Sequence, residues 1–458
     1  MWIYIVDNLW NYVNYFILYY LIILIPHFHH MVYNLFSQRI FQISLYFSCL
    51  FDLLTNSHPP TITSVINYKY ILRIFVQPIL TKHPKGDIHM KITCKKSEIL
   101  NSVNISLKAV PAKSTMPILE CIIIEVTDST IKFITNDMEL GIETVVNGLI
   151  TTAGSVAINA KIFSDIIRKL PDSDVVIETD ANYMTTISCE KSVFTIAGKS
   201  GEEFPALPKM EKNEPLILSQ FSLKEIIRQT VFSISDNESN KIMTGELFEI
   251  NGNDFKVVSL DGLRISIRKI FLKDEYKTTK VIVPGKTLNE ISKILSGELE
   301  NEVRIYFSER HILFEFDNTI VLSRLIEGEY YKINQMLSGD YETKLTINRK
   351  MFLECIDRAT LLIKESEKKP IILAITESSM ELRVNSSLGS MNEDMEIVKE
   401  GKNLLIGFNP KFFIEALRVI DDEEVTLYMT NPKAPCFIKN AEESYIYLIL
   451  PVNLGVVR

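Results

Sequence analysis

The chain has 458 residues, 47% of them hydrophobic and 23% charged, with a formal net charge of -8. This length accommodates three domains of ordinary size, and the composition is globular rather than disordered. An acidic balance does not by itself advertise a nucleic-acid partner, so the distribution of charge has to carry that question.

Residues 1–89 differ from everything that follows. They contain no Ala, no Glu and one Gly (Gly86), yet hold both tryptophans and six of the seven histidines. Residues 10–26 are uncharged and apolar, about the shortest length that spans a bilayer. A secretory signal would show a basic start and a small-residue cleavage site, and neither is present. Ile, Tyr, Phe, Asn and Leu are what an AT-rich non-coding stretch encodes. The expectation is therefore an over-extended start, with translation beginning at Met90; a membrane anchor is the competing reading. Five of the 49 basic and three of the 57 acidic residues precede Met90, which leaves 44 against 54 beyond it.

From Met90 onward the chain reads as a repeat. Three segments align without gaps at successive offsets of 125 residues: Ile158-NAKIFSDIIRK-Leu170, Val283-PGKTLNEISKI-Leu295 and Phe408-NPKFFIEALRV-Ile420. Asn159–Ala160, Pro284–Gly285 and Asn409–Pro410 are helix-start signals. Each copy places Lys first (Lys161, Lys286, Lys411), an acid four residues later (Asp165, Glu290, Glu415) and a base three after that (Arg168, Lys293, Arg418). That spacing puts all three on one helix face, with Ile162, Phe163, Ile166, Ile167 and Leu170 filling the other in the first copy. A single copy is what any solvated helix face looks like. Three copies in register in an acidic protein predict one shared, net-positive surface suited to backbone phosphates.

A second helix family precedes these by about sixty residues, at 96–104, 223–231 and 351–359. Strand-like runs rich in β-branched residues occupy 122–126, 129–135, 175–179, 303–307, 312–316 and 425–429. The expected fold is α+β: three similar domains, each with two helices and antiparallel strands. Polar, turn-rich stretches near 210–217 and 338–344 set the expected boundaries at 90–212, 213–341 and 342–458.

Chemistry is hard to place in such a chain. The six cysteines (Cys49, Cys94, Cys121, Cys189, Cys355, Cys436) form no CxxC pair, which argues against a zinc ribbon or a thioredoxin-type site. Each reads as a small apolar core residue in a reduced, cytoplasmic compartment. No GxGxxG or GxxxxGK[ST] loop is present. His311 is the only histidine after Met90, so histidine triads and His-ligated metals find no support. Acid runs such as 421–424 are the usual solvated kind, and no acid cluster suited to two-metal chemistry stands out. The expectation is a binding scaffold with no catalytic residues, no metal and no cofactor. An enzyme such as a nuclease, with acids gathered from distant positions, is the reading it displaces. A membrane-anchored scaffold is the alternative if residues 1–89 are real.

Eight segments in order make the chain similar to one family: Met116-PILECIIIEV, Asn136-DMELGIE, Gly198-KSGEEFPALP, Thr244-GELFEI, Ser259-LDGLRISI, Val281-IVPGKTLNEI, Leu325-IEGEYYKI and Tyr447-LILPVNL. Over residues 90–454 it resembles the bacterial DNA polymerase III beta subunits, the sliding clamps. The resemblance implies head-to-tail homodimeric rings of DNA-clamp domains around duplex DNA, with the repeated helices lining the hole. It implies a processivity factor of DNA replication that catalyses nothing itself. By position it adds DNA contacts at Lys113, Asn237, Lys241 and Ile242 to the six helix bases. It implies an apolar groove for peptide motifs of the replicative polymerase, clamp loader and repair polymerases. The matching groove positions are Met243, Leu260, Gly262, Leu263, Arg264 and Ile265; Tyr331, Gln335 and Met336; Lys433 and Pro435; and Leu448, Ile449, Leu450, Pro451 and Val452. For the subunit interface it implies Phe194 and Ile196 on one side and Leu361 and Leu362 on the other. No membrane partner is implied.

Overall fold

A computed structural model describes residues 88–337, 340–364 and 369–454. Residues 1–87, and the expectations placed on them, lie outside these, as does part of the 338–344 boundary. The first strand, Ile88–Lys95, carries Met90 fully buried, and His89 packs edge-on against Tyr183.

Two helix families alternate along the chain, as the sequence predicts. The first comprises α1 (Lys96–Ser106), α3 (Gln220–Thr230) and α5 (Arg349–Thr360); the second comprises α2 (Ala160–Lys169), α4 (Gly285–Ile294) and α6 (Pro410–Val419). Asn159, Ser219, Asn348 and Asn409 cap their helices by accepting backbone N–H bonds at 3.0–3.1 Å. Each satisfies a donor that the first helical turn leaves orphaned. Pro284 starts α4 without a side-chain bond; its fixed φ is already suitable. A cation from the first helix of each domain closes the far end of the second. Lys96 donates to the Leu170 carbonyl at 2.6 Å, Lys224 to Leu295 at 3.0 Å and Arg349 to Leu417 at 3.1 Å. Positive charge at a helix C-terminus is favoured by the helix dipole.

Each helix pair covers its own apolar core, and the three cores repeat. Phe163, Phe413 and Leu288 are fully buried at equivalent helix positions. Ile162 departs from expectation: it is 51% exposed. It lies about 100° round the helix from Phe163, at the edge of the buried arc rather than within it. The five described cysteines are free and buried, and burial pushes the Cys94 thiol up to about 11 and Cys355 to about 12.

The domains are joined by sheets that run across their boundaries. Leu140–Val146 of the first domain pairs antiparallel with Thr319–Arg324 of the second (Ile142 opposite Val321). In the same way Arg264–Pro284 of the second pairs with Tyr445–Ile449 of the third (Ser266 opposite Tyr447). Leu140 and Ile142 accordingly sit in the core beneath α3 and α4.

One core position is out of character. Glu246 is fully buried on the helix-facing side of Gly245–Leu260, and neither carboxyl oxygen has a hydrogen-bond partner among the described residues. The adjacent Thr230 hydroxyl donates to the Ile226 carbonyl at 2.7 Å. Burial therefore pushes this carboxyl well above its ordinary value of 4.5. Below that value both folded and unfolded chains hold the proton and stability is unaffected. Above it the unfolded chain ionises first, so stability falls as pH rises toward the folded value. Replacing Glu246→Met should raise stability at pH 7 by about 1–3 kcal/mol, the cost of an unpartnered buried polar group. Urea midpoints at pH 5 and pH 7.5 should then draw together; an unchanged gap between them would refute the assignment.

Candidate nucleic-acid and partner-binding surfaces

The repeated bases are on the surface, but they are less free than their spacing suggests. Lys161 is exposed without an ion-pair partner among the described residues. Arg168 faces Asp165 at 4.0 Å, Lys293 faces Glu290 at 2.8 Å and Lys411 faces Glu415 at 3.8 Å. Lys286 reaches back to Asp137 of the first domain at 2.5 Å, and Arg418 reaches Asp357 of α5 at 3.3 Å. Apart from Lys161, the stripe is therefore a set of ion pairs whose bases are exposed, and pairs of this kind near the surface are worth little in water and can be exchanged for phosphate. Lys113 is exposed in the bend before Met116, and Asn237 and Lys241 are exposed in the loop after α3. Ile242 does not join them: it is half-buried, packs on the apolar cluster below, and lies against Gly328, where an added Cβ would come within 3.0 Å of it. Its apolar side chain gains more from that burial than from facing phosphates.

The groove positions divide between the two faces of one sheet. Leu260, Ile265 and Leu448 lie in a buried cluster with Leu247, Ile267, Ile282, Tyr330, Ile333 and Ile446, while Met243 and Leu450 are partly buried against it. Above them Leu263, Met336, Tyr331 and Val452 are exposed by 54%, 52%, 36% and 37%. The Leu450 amide donates to the Leu263 carbonyl at 2.9 Å, which holds the two segments together. Gly262 turns the chain here with φ +91°, in the left-handed region that glycine adopts without strain. Lys433 is exposed and Pro435 and Pro451 half-buried where the neighbouring strands end; Gln335 is exposed on the turn that carries Met336.

Arg264 and Ile449 lie on the opposite face, because side chains alternate along a strand. Ile449 belongs to the core of the third domain. Arg264 is 6% exposed and knits the second domain to the third. Its guanidinium bonds Asp261 at 3.0 Å and also Glu415 and the Phe232 carbonyl, between the rings of Phe232 and Phe412. Glu415, read as the acid of the third stripe, is thus shared with a domain junction.

Two links were invisible in the sequence. Asn240, in the loop of Asn237 and Lys241, donates to the Tyr331 hydroxyl at 2.6 Å and ties that loop to the groove wall. Ile333, Leu337 and Phe437 complete the apolar cluster.

The proposed interface residues border two open sheet edges. Among the described residues, 192–197 pair with Met184–Cys189 on one side only, and Gly389–Glu396 pairs only with Ser379–Ser386. Phe194 and Leu361 are exposed by 39% and 78%. Ile196 and Leu362 are half-buried and lean on the cores of their own domains. Leu362 lies beside Gly389, 4.0 Å from where an added Cβ would stand, and Arg358 bonds Glu393 at 2.9 Å, so the end of α5 and this edge form one surface.

Among the described residues no group of three or more His, Cys, Asp and Glu side chains could hold a metal, and no helix is long and apolar enough to cross a membrane. The chain matches the DNA polymerase III beta subunit family in three pieces: its N-terminal domain over 90–208, its central domain over 217–332 and its C-terminal domain over 334–453. It is 34% identical over 377 residues to the beta sliding clamp of Bacillus subtilis, covering 80% of this chain and 100% of that one. The crystal structure of the Bacillus subtilis clamp superposes with a TM-score of 0.78, covering 80% of this chain and 99% of that one. A putative DNA polymerase III beta subunit from Eubacterium rectale, 63% identical, superposes with a TM-score of 0.78 over the same shares. The chain belongs to the DNA polymerase III beta subunit family, the beta sliding clamps, non-catalytic processivity factors that close as ring dimers around DNA and bind polymerase and clamp loader.

Proposed function

We propose that this chain closes its ring through the two open edges, residues 192–197 of one copy against Gly389–Glu396 of the next. The observation that supports this is the repeat itself. Strand Leu140–Val146 joins the first domain to the second and Arg264–Pro284 joins the second to the third. The third-domain strand at the equivalent repeat position is Gly389–Glu396, and the first-domain strand equivalent to Thr319–Arg324 is Ser192–Ser200. Neither finds the corresponding partner among the described residues, so a second copy placed head to tail supplies the missing junction twice and covers both of these edges. Phe194 and Ile196 then meet Leu361 and Leu362. Light scattering of the purified protein should give twice the chain mass; a monomer at micromolar concentration would overturn this closure.

On this reading the domains span 90–212, 213–341 and 342–458. Duplex DNA is met by Lys113, Lys161, Arg168, Asn237, Lys241, Lys286, Lys293, Lys411 and Arg418. The protein works in the cytoplasm, where polymerase, clamp loader and repair polymerases present short peptide motifs to the groove. Leu263, Met336 and Leu450 are its anchoring contacts, since adaptable apolar side chains suit varied peptides. Truncating each to Ala should weaken a labelled peptide carrying the polymerase's clamp-binding motif by about 1–3 kcal/mol. Anisotropy titrations read this directly, and DNA loading should survive. Unaltered affinity in all three variants would place the groove elsewhere.

A further inference from the structure

The apolar cluster beneath the groove does not stop at the groove. Leu247, Ile282, Tyr330 and Ile333 belong to the same cluster as Leu260, Ile265 and Leu448. Past Tyr331 and Gln335 they floor a separate cleft of about 800 Å³, between the long strands Gly245–Leu260 and Arg264–Pro284 and the segment 325–335. That volume lies within the range of ligand sites, about 300–1,000 Å³. Its far end is charged but internally settled: Glu249 bonds both Lys256 and Lys280. Burial alone would raise the Glu249 carboxyl, yet the two lysines hold it below the usual range. The rim is different. Glu309, Glu327 and Glu329 are exposed there; Glu327 faces Arg324 at 3.6 Å, and the other two have no ion-pair partner among the described residues. Among the described residues of the lining, Lys332 is the one cation outside the internal pairs.

An apolar floor continuous with the groove, under a rim of unspent carboxylates, suits the continuation of one extended peptide. We propose that this cleft is a second subsite of the groove. It takes the residues flanking the bound motif, a short stretch offering one apolar side chain and a lysine or arginine to Glu309 and Glu329. The proposal rests on the groove reading above.

The test uses the full chain and four labelled peptides. One carries the polymerase's clamp-binding motif alone, and two carry it with a five-residue Leu- and Lys-containing extension at one end or the other. The fourth has Glu in place of Lys in the tighter of those two. The Lys extension should tighten binding about fivefold at one end, the scale of an exposed charge pair, and the Glu extension should not. The gain should vanish in the double variant Glu309→Lys/Glu329→Lys, with affinity for the bare motif unchanged. It should persist in Glu298→Lys/Glu300→Lys, an equal charge change at exposed positions outside the cleft. Loss of the gain in both double variants would mean attraction to the acidic protein as a whole and would overturn the subsite. So would the absence of gain at either end while the bare motif binds and is weakened by Leu263→Ala. Failure of the bare motif to bind would overturn the groove and the subsite together.

Discussion

Phe194→Asp combined with Leu361→Glu should leave a folded monomer. These two side chains are the solvent-facing members of their pairs, at 39% and 78% exposure, so charging them leaves each domain's own core intact. Ile196 and Leu362 are better left alone, since both are half-buried against their own domains and charging them would confuse unfolding with dissociation. Head-to-tail closure makes the same junction twice, so every substitution acts twice. An unpaired charge taken out of water at a packed contact costs several kcal/mol, even after relaxation. At about 3 kcal/mol per junction the dimer constant rises by roughly 10⁴-fold. Light scattering at micromolar concentration should read the single-chain mass, and the melting temperature of the monomer should show that the domains survive. A dimer mass retained by this variant would mean that the ring closes on other surfaces.

The sequence shows the threefold plan because a period of 125 residues is visible in bases, acids and helix starts without any structure. The helices and the six strand runs follow from spacing and β-branched content, local properties that a chain carries in its letters. What alternation does to a contiguous run is less legible. Residues 448–452 read as one groove wall, yet Leu448 faces the groove cluster and Ile449 the third-domain core. Arg264 sits beside Ile265 in sequence but binds on the other side of the sheet. A one-residue step reverses the face, and only the pairing partner says which face is which. Charge compensation is hidden for a similar reason: Asp137 and Asp357, which neutralise Lys286 and Arg418, come from distant positions that no helical spacing reveals. The strand Gly389–Glu396 was within reach, because its place in the repeat matches that of Leu140–Val146, but its polar composition carries no apolar alternation to mark it as a strand.

Once loaded on DNA, the protein should be retained by topology rather than by grip. A protein held only by phosphate contacts loses affinity with salt, with a slope near one unit per phosphate neutralised. Here five of the six helix bases already face carboxylates at 2.5–4.0 Å, so each phosphate contact replaces an existing ion pair and its net gain is small. The whole chain is acidic as well, at -8. Such a surface lets the duplex slide, and it holds only if the ring is closed. After loading by a clamp loader onto nicked circular DNA, the protein should co-elute with the circle in high salt and be lost when the circle is cut. Lys161→Glu, Lys286→Glu and Lys411→Glu together put three acids where DNA must enter. They should cut loading by roughly tenfold or more, because like charges repel during encounter. Retention of the molecules that do load should change little, since a closed ring needs no attraction to stay linked. Equal loss from circular and linear DNA at the same salt would mean that contacts, not closure, hold the complex, and the ring reading would fall with it.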